Sequence, residues 1–166
     1  MAQENPRIVG IDPGSMKTGV AYITGRTLYP FSPKDFKLID VLTLKTQAKI
    51  SLNDRVYMFH DTIYKLLDEY KPTHCAIETC FVGINPQSAI KLGLLRGAII
   101  TAVCRLRIPI LEIAPTKVKK IITGNGHAKK EEIAETLKAL MGYDVGSLSY
   151  DASDALAIAL SCGLSL

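Results

Sequence analysis

The 166-residue sequence has no stretch of about 18 consecutive apolar residues, so composition alone offers no bilayer-spanning segment. Its first residues, Met1 to Pro6, are polar and lack the apolar centre of a secretory signal. Both absences point to a cytoplasmic protein with no membrane partner. The four cysteines, Cys75, Cys80, Cys104 and Cys162, form no Cys-x-x-Cys pair and mostly have apolar neighbours, which excludes a zinc knuckle or a disulfide framework and implies reduced core thiols. A glycine-rich loop of the Walker type is missing, which argues against nucleotide hydrolysis. Acids are scarce in one interval. Between Glu78 and Glu131 the single acid is Glu112, while Lys91, Arg96, Arg105, Arg107, Lys117, Lys119, Lys120, Lys129 and Lys130 all fall there. The formal net charge is only +4, but a polyanion responds to where cations are placed more than to their sum. An acid-poor middle suits a face that tracks phosphates.

At 48% hydrophobic residues, the chain suits one compact domain over residues 1–166, burying roughly two-thirds of its unfolded surface. Arg7 to Asp12 reads as a strand that runs into a Pro13-Gly14 turn, and Thr18 to Ile23 as a second strand. Phe36 to Leu44 makes a third, and the short connections favour an antiparallel meander. Leu52, Val56, Phe59, Ile63, Leu66 or Leu67, and Tyr70 recur at helical spacing, predicting a helix over Ser51 to Tyr70 with Ser51 and Asp54 at its start and Pro72 as its stop. A strand from Thr73 to Glu78 follows. Asn85-Pro86 then opens a helix to about Arg105, whose small residues Ala89, Gly93, Gly97 and Ala98 would admit another helix closely. Ile108 to Ile113 reads as a strand, Pro115 to Ile122 as a short helix, Ala128 to Met141 as an amphipathic helix ended by Gly142, and Tyr150 to Cys162 as the last helix. The expected class is α/β, with a mixed five-stranded sheet of three antiparallel strands followed by parallel ones, flanked by helices.

Four acids share a setting in this outline. Asp12 and Glu78 end strands, and Asp151 and Asp154 lie three apart at a helix start, so they share one helix face. If the two strands are neighbours and the last helix crosses them, the carboxylates converge and repel one another unless cations compensate. Mg2+ is the natural compensator, because it takes hard oxygen ligands and keeps water and phosphate oxygens in its shell. Two such ions about 4 Å apart would activate a water and stabilise the leaving oxygen of a phosphodiester, with Mn2+ as a chemical substitute.

The ordered segments Ile8-Val9-Gly10-Ile11-Asp12-Pro13-Gly14-Ser15, Ala76-Ile77-Glu78, Gly124-Asn125-Gly126-His127-Ala128-Lys129-Lys130 and Asp151-Ala152-Ser153-Asp154-Ala155-Leu156-Ala157 resemble the motifs of the RuvC family of Holliday-junction resolvases. The resemblance runs from about Arg7 to Cys162 and implies an RNase H-like fold, a homodimer and magnesium-dependent nicking of two opposed strands of four-way junction DNA. By the same resemblance the metal-binding acids fall on Asp12, Glu78, Asp151 and Asp154, the lysines beside the cleaved bond on Lys119 and Lys130, and a base-stacking aromatic on Phe81. Lys91, Arg96, Lys117, Lys120 and Lys129 are left as general DNA contacts. The helix opening at Asn85-Pro86 is implied in dimer contacts, and a branch-migration helicase complex of the RuvA and RuvB type is an implied partner. Three other readings stay open: a junction-binding scaffold without turnover, a phosphotransferase of the related actin-like ATPase superfamily, and an RNase H-like enzyme acting on another nucleic acid.

Overall fold

Two core clusters lie on opposite faces of one sheet, and the alternation of side chains along each strand decides which cluster a residue joins. In the computed structural model, which describes residues 5–25, 32–80, 85–142 and 148–166, β1 (Arg7–Asp12) sends Ile8 to one cluster and Val9 and Ile11 to the other. β2 (Lys17–Gly25) runs antiparallel to β1, with Asp12 opposite Gly19, and β3 (Phe36–Lys45) antiparallel to β2 with a register irregularity at Tyr22/Ile23. β4 (His74–Glu78) lies parallel to β1 on its other side, and β5 (Ile110–Ile113) parallel to β4. The order β3-β2-β1-β4-β5 is the mixed sheet that the sequence predicts, with the meander at one edge and parallel strands at the other. β5 starts two residues later than expected, because Pro109 has no N–H to give a ladder.

α1 (Leu52–Tyr70) and α2 (Pro86–Arg105) cover one face, where Ile63, Leu67, Ile99, Ala102 and Val103 pack on Val9, Ile11, Val20 and Tyr22. Both carry the caps read from sequence: Ser51 accepts from the Asp54 N–H, and Asn85 from the N–H groups of Gln87 and Ser88. The Tyr70 ring stacks on Tyr22 at 4.3 Å between centroids, and its hydroxyl donates to Asp40, which ties the end of α1 to the sheet. α2 departs from one expectation. By length and composition it is long and apolar enough to cross a bilayer, although Lys91 and Arg96 interrupt its sequence. Leu95, Ile99, Ala102 and Val103 are buried, but Ile90 and Leu94 stand 63% and 51% exposed, and a Cβ at Gly93 or Gly97 would meet nothing within 4 Å. The small-residue face is therefore open in the single chain. Cys75 and Cys162 are buried as expected, whereas Cys80 and Cys104 are exposed, since apolar sequence neighbours do not reveal which side of a helix or loop faces outward.

α3 (Pro115–Thr123), α4 (Lys130–Met141) and α5 (Tyr150–Gly163) cover the other face. α5 lies against the sheet backbone because two strand residues have no side chain. A Cβ on Gly10 would sit 2.2 Å from the Ala155 carbonyl oxygen and 2.4 Å from the Ala159 nitrogen, and one on Gly19 would sit 1.9 Å from the Asp151 carbonyl oxygen. Ala155 and Ala159 are small for the same reason, and both are fully buried. Ser149 caps α5 by accepting from the Ala152 N–H, and its hydroxyl lies 2.6 Å from that of Thr43 on β3, which fixes the first turn of α5 over the sheet.

Candidate active site

The parity of the strands places the acids. Asp12 follows Ile8 and Gly10 onto the α5 face of β1, and Glu78 follows Ala76 onto the same face of the adjacent β4. The close seat of α5 on Gly19 and Gly10 brings its first turn, with Asp151 and Asp154, over those two strand ends. Four carboxylates separated by up to 142 positions in the sequence thus meet at the carboxyl ends of the two parallel central strands.

Their electrostatics follow from that crowding. Burial, then the neighbouring charges of Asp154 and Asp151, pushes the Asp12 carboxyl up to about 6. Burial, followed by the charges of Asp12 and Asp154, pushes Glu78 up to about 7, with a smaller contribution from its side-chain interaction with Asp12. Lys130 opposes both shifts. Its ammonium lies 2.7 Å from Asp154 Oδ2 and 5.5 Å from the centre of the Tyr150 ring, and the bond to Asp154 raises its own pKa. Lys119 lines the same recess, a cleft of about 190 Å³ bounded also by Glu78, Lys130, Asp154, Pro115 and Ile133. The two lysines named by resemblance therefore share a cleft with Glu78 and Asp154.

Among the described residues no three carboxylates already form a closed ligand cage. Asp154 is turned to Lys130, and Asp12 and Glu78 interact with each other. The donor set nonetheless suits a hard divalent ion, since it consists of carboxylate oxygens held partly buried and in mutual repulsion, which is relieved by a cation.

The remaining candidates divide by face. Lys117 and Lys120 on α3 and Lys129 just before α4 are exposed on the side of the sheet that carries the acids, and Lys91 is exposed on α2, across the sheet from them. Arg96 is different, with a side chain only 16% exposed and bonded to Glu112 and to the Glu78 main chain. Phe81 lies outside the described residues. Sequence reasoning missed Gly10 and Gly19 as the seat of α5, although a glycine inside an apolar strand is itself a sign of close backbone approach. It also missed Tyr150 beneath Lys130, for which pattern gave no signal.

A sheet of this order, with helices on both faces and acids at the ends of its central strands, defines an RNase H-like α/β protein. A family model described as "Crossover junction endodeoxyribonuclease RuvC" matches residues 8–162. The RuvC protein of Chloroherpeton thalassium is 39% identical over 155 residues, covering 93% of this chain and 80% of that protein; the RuvC protein of Rickettsia felis is 34% identical, covering 93% and 96%. The solved structure of Thermus thermophilus RuvC in complex with a Holliday junction substrate superposes with a TM-score of 0.86 at 28% identity, covering 96% of this chain and 94% of that one. The chain belongs to the RuvC family of crossover junction endodeoxyribonucleases.

Proposed function

We propose that this chain is a structure-selective endonuclease that resolves four-way DNA junctions by paired nicks, through magnesium-dependent phosphodiester hydrolysis in recombination and repair. The observation that carries the reading is the electrostatic coupling of Asp12 to Glu78, Asp151 and Asp154 in a RuvC-family fold, with Glu78 and Asp154 lining one cleft together with Lys119 and Lys130. Asp12, Glu78, Asp151 and Asp154 would hold two Mg2+ ions, with Mn2+ as a substitute. When bound, such ions supply a water nucleophile at neutral pH and neutralise the leaving oxygen. The chain's own residues do the rest. Asp12 and Glu78, whose carboxyl pKa values are raised by burial and by neighbouring carboxylates, would serve as ligands in their ionised forms. Lys130 then parts from Asp154 and is free to turn toward the scissile phosphate, and Lys119 faces it from α3 across the same cleft. Charge that grows on the phosphate in the transition state is met by these fixed ammonium groups.

The exposed lysines Lys117, Lys120 and Lys129 supply sequence-independent phosphate contacts on the same side, and Phe81 is the proposed stacking ring for an opened base. Two copies of the chain, joined through the open Ile90, Leu94, Gly93 and Gly97 face of α2, would present two symmetric sites to opposed strands. A cytoplasmic homodimer that receives junctions from a branch-migration helicase completes the reading, and residues 1–166 act in it as one nuclease domain.

The direct test is a synthetic four-way junction labelled on each strand. Symmetric nicks in magnesium that vanish in EDTA are expected; tight binding without nicking under every metal condition refutes turnover, and equal cleavage of an RNA·DNA hybrid refutes junction selectivity. Lys130→Met should slow cleavage about 10²-fold at saturating junction with little change in affinity, the usual cost of losing one preorganised charge at a reacting oxyanion. Single-turnover rates check it, and a loss confined to affinity would make Lys130 a binding contact instead. Leu94→Glu should convert the dimer to monomers in sedimentation and abolish paired nicking, because it sets like charges against each other at the proposed two-fold contact; a dimer that persists rejects this face.

A further inference from the structure

The single acid of the basic interval has a partner. Glu112 on β5 accepts from an Nη of Arg96, whose Nε donates to the main-chain oxygen of Glu78 at 3.2 Å. The β1–β4 ladder pairs Ile11 with Ile77 as its last position, so Glu78, though paired with Ile113 of β5 on its other side, stands one residue past the β1 ladder, and Arg96 supplies a donor to its carbonyl. Parity fixes the direction of approach. Glu112 shares the face of Ile110, the side covered by α1 and α2, whereas the Glu78 carboxyl points to the α5 side. The guanidinium therefore reaches the end of β4 from behind the sheet. It is 16% exposed with two of its edges engaged, which is the environment of a clamp and unlike that of the exposed Lys117, Lys120 and Lys129.

We propose that Arg96 is a positioning residue for Glu78, holding its main chain to α2 and β5 so that the carboxylate enters the cleft at a fixed angle, in place of the phosphate contact its charge suggests. The proposal rests on the reading of Glu78 as a metal ligand. A ligand on a strand end that is paired on one side only, here with Ile113 of β5, keeps some freedom on the other side, and the Arg96 bond to the Glu78 carbonyl, anchored by the second bond to Glu112, removes it without touching the substrate. Lysine cannot replace it, since one ammonium on a flexible stem does not span the Glu78 carbonyl and the Glu112 carboxylate in the planar geometry that arginine offers.

The test uses the full chain and three variants, Arg96→Met, Arg96→Lys and Glu112→Gln, with Mg2+ as the probe. Junction affinity is measured in EDTA, and Mg2+ dependence is read in two ways, as the concentration for half-maximal nicking and as the rise in melting temperature that Mg2+ produces. For Arg96→Met the expected result is junction affinity within about threefold of the parent, a Mg2+ requirement raised about fivefold or more, and a smaller Mg2+-induced rise in melting temperature. Arg96→Lys should fall between the two, and Glu112→Gln should shift the Mg2+ requirement in the same direction by less. Loss of junction affinity of about tenfold with an unchanged Mg2+ requirement overturns the proposal and returns Arg96 to the phosphate contacts. An unchanged Mg2+ requirement in every folded variant overturns it as well; should Arg96→Met not fold, Arg96→Lys and Glu112→Gln decide. Failure of the resolvase reading looks different: the unaltered chain would leave junctions intact while Mg2+ still raised its melting temperature.

Discussion

Asp12→Asn should reduce junction nicking by at least about 10³-fold while junction affinity in EDTA stays within about twofold. The substitution keeps the shape of the side chain and removes one anionic oxygen from the site where Asp12, Glu78, Asp151 and Asp154 meet. It should also make the metal-free protein more stable. Asp12 is lifted from 3.8 to about 6 and Glu78 from 4.5 to about 7, so the folded state binds these protons more tightly than the unfolded chain. For acids shifted upward, the penalty is absent below about pH 4 and complete above about pH 7, so metal-free stability falls as pH rises through that window. Removing the Asp12 charge should recover about 1–2 kcal/mol at pH 8, a figure discounted for partial solvent screening. Urea unfolding in EDTA at about pH 3.5 and pH 8 measures it: the variant and the parent should converge at the lower pH and separate at the higher. Added Mg2+ should close the gap, because it stabilises the parent by binding the folded state. A variant that nicks at the parental rate, or is no more stable than the parent at pH 8, contradicts the repulsive cluster.

Gly19→Ala should be nearly as damaging, although it adds one methyl group and removes no chemistry. The new Cβ would lie 1.9 Å from the Asp151 carbonyl oxygen and 2.5 Å from its carbon, both main-chain atoms that no rotamer can move aside. The first turn of α5 must withdraw by more than an ångström, carrying Asp151 and Asp154 with it. A stability loss of about 3 kcal/mol or more is expected from strain in a packed interior, together with a rate loss of about 10²-fold in molecules that remain folded. Gly10→Ala meets the Ala155 carbonyl oxygen and the Ala159 nitrogen in the middle of the same helix and should cost comparable stability. Denaturant midpoints and single-turnover nicking well below those midpoints separate the two effects. Unchanged stability in both variants would mean that α5 does not rest on the strand backbones.

The elements that sequence renders legible are those whose physics is local. The stripe from Leu52 to Tyr70, the caps at Ser51 and Asn85 and the alternation of Ile8, Val9 and Ile11 each depend on near neighbours, and the structure reproduces them to within two or so residues. The four acids were legible because each sits at an element end beside apolar sequence, and a strand-end carboxylate is unusual enough to be noticed. Lys119 and Lys130 were not readable from spacing; resemblance supplied them, and the fold sets them around one cleft. Arg96 and Glu112 look like ordinary surface charges in sequence, since nothing local records that α2 and β5 will bring them together sixteen positions apart. The outward turn of Cys80 and Cys104 was hidden for the same reason: their exposure is settled by which neighbours arrive from elsewhere in the chain.

The docking of α5 onto Gly10 and Gly19 has a consequence for the order in which the molecule becomes dangerous to DNA. Asp12 is synthesised well before Asp151 and Asp154, which follow it by 139 and 142 positions, so a nascent chain carries a strand end without its facing acids until α5 has left the ribosome and seated itself. The same glycines that permit that seat therefore act as a timing device. On the proposed reading, an incomplete chain that exposes its basic interval would hold a phosphate backbone but lack the acids to break it, and cutting would begin only when α5 had closed over β1 and β2.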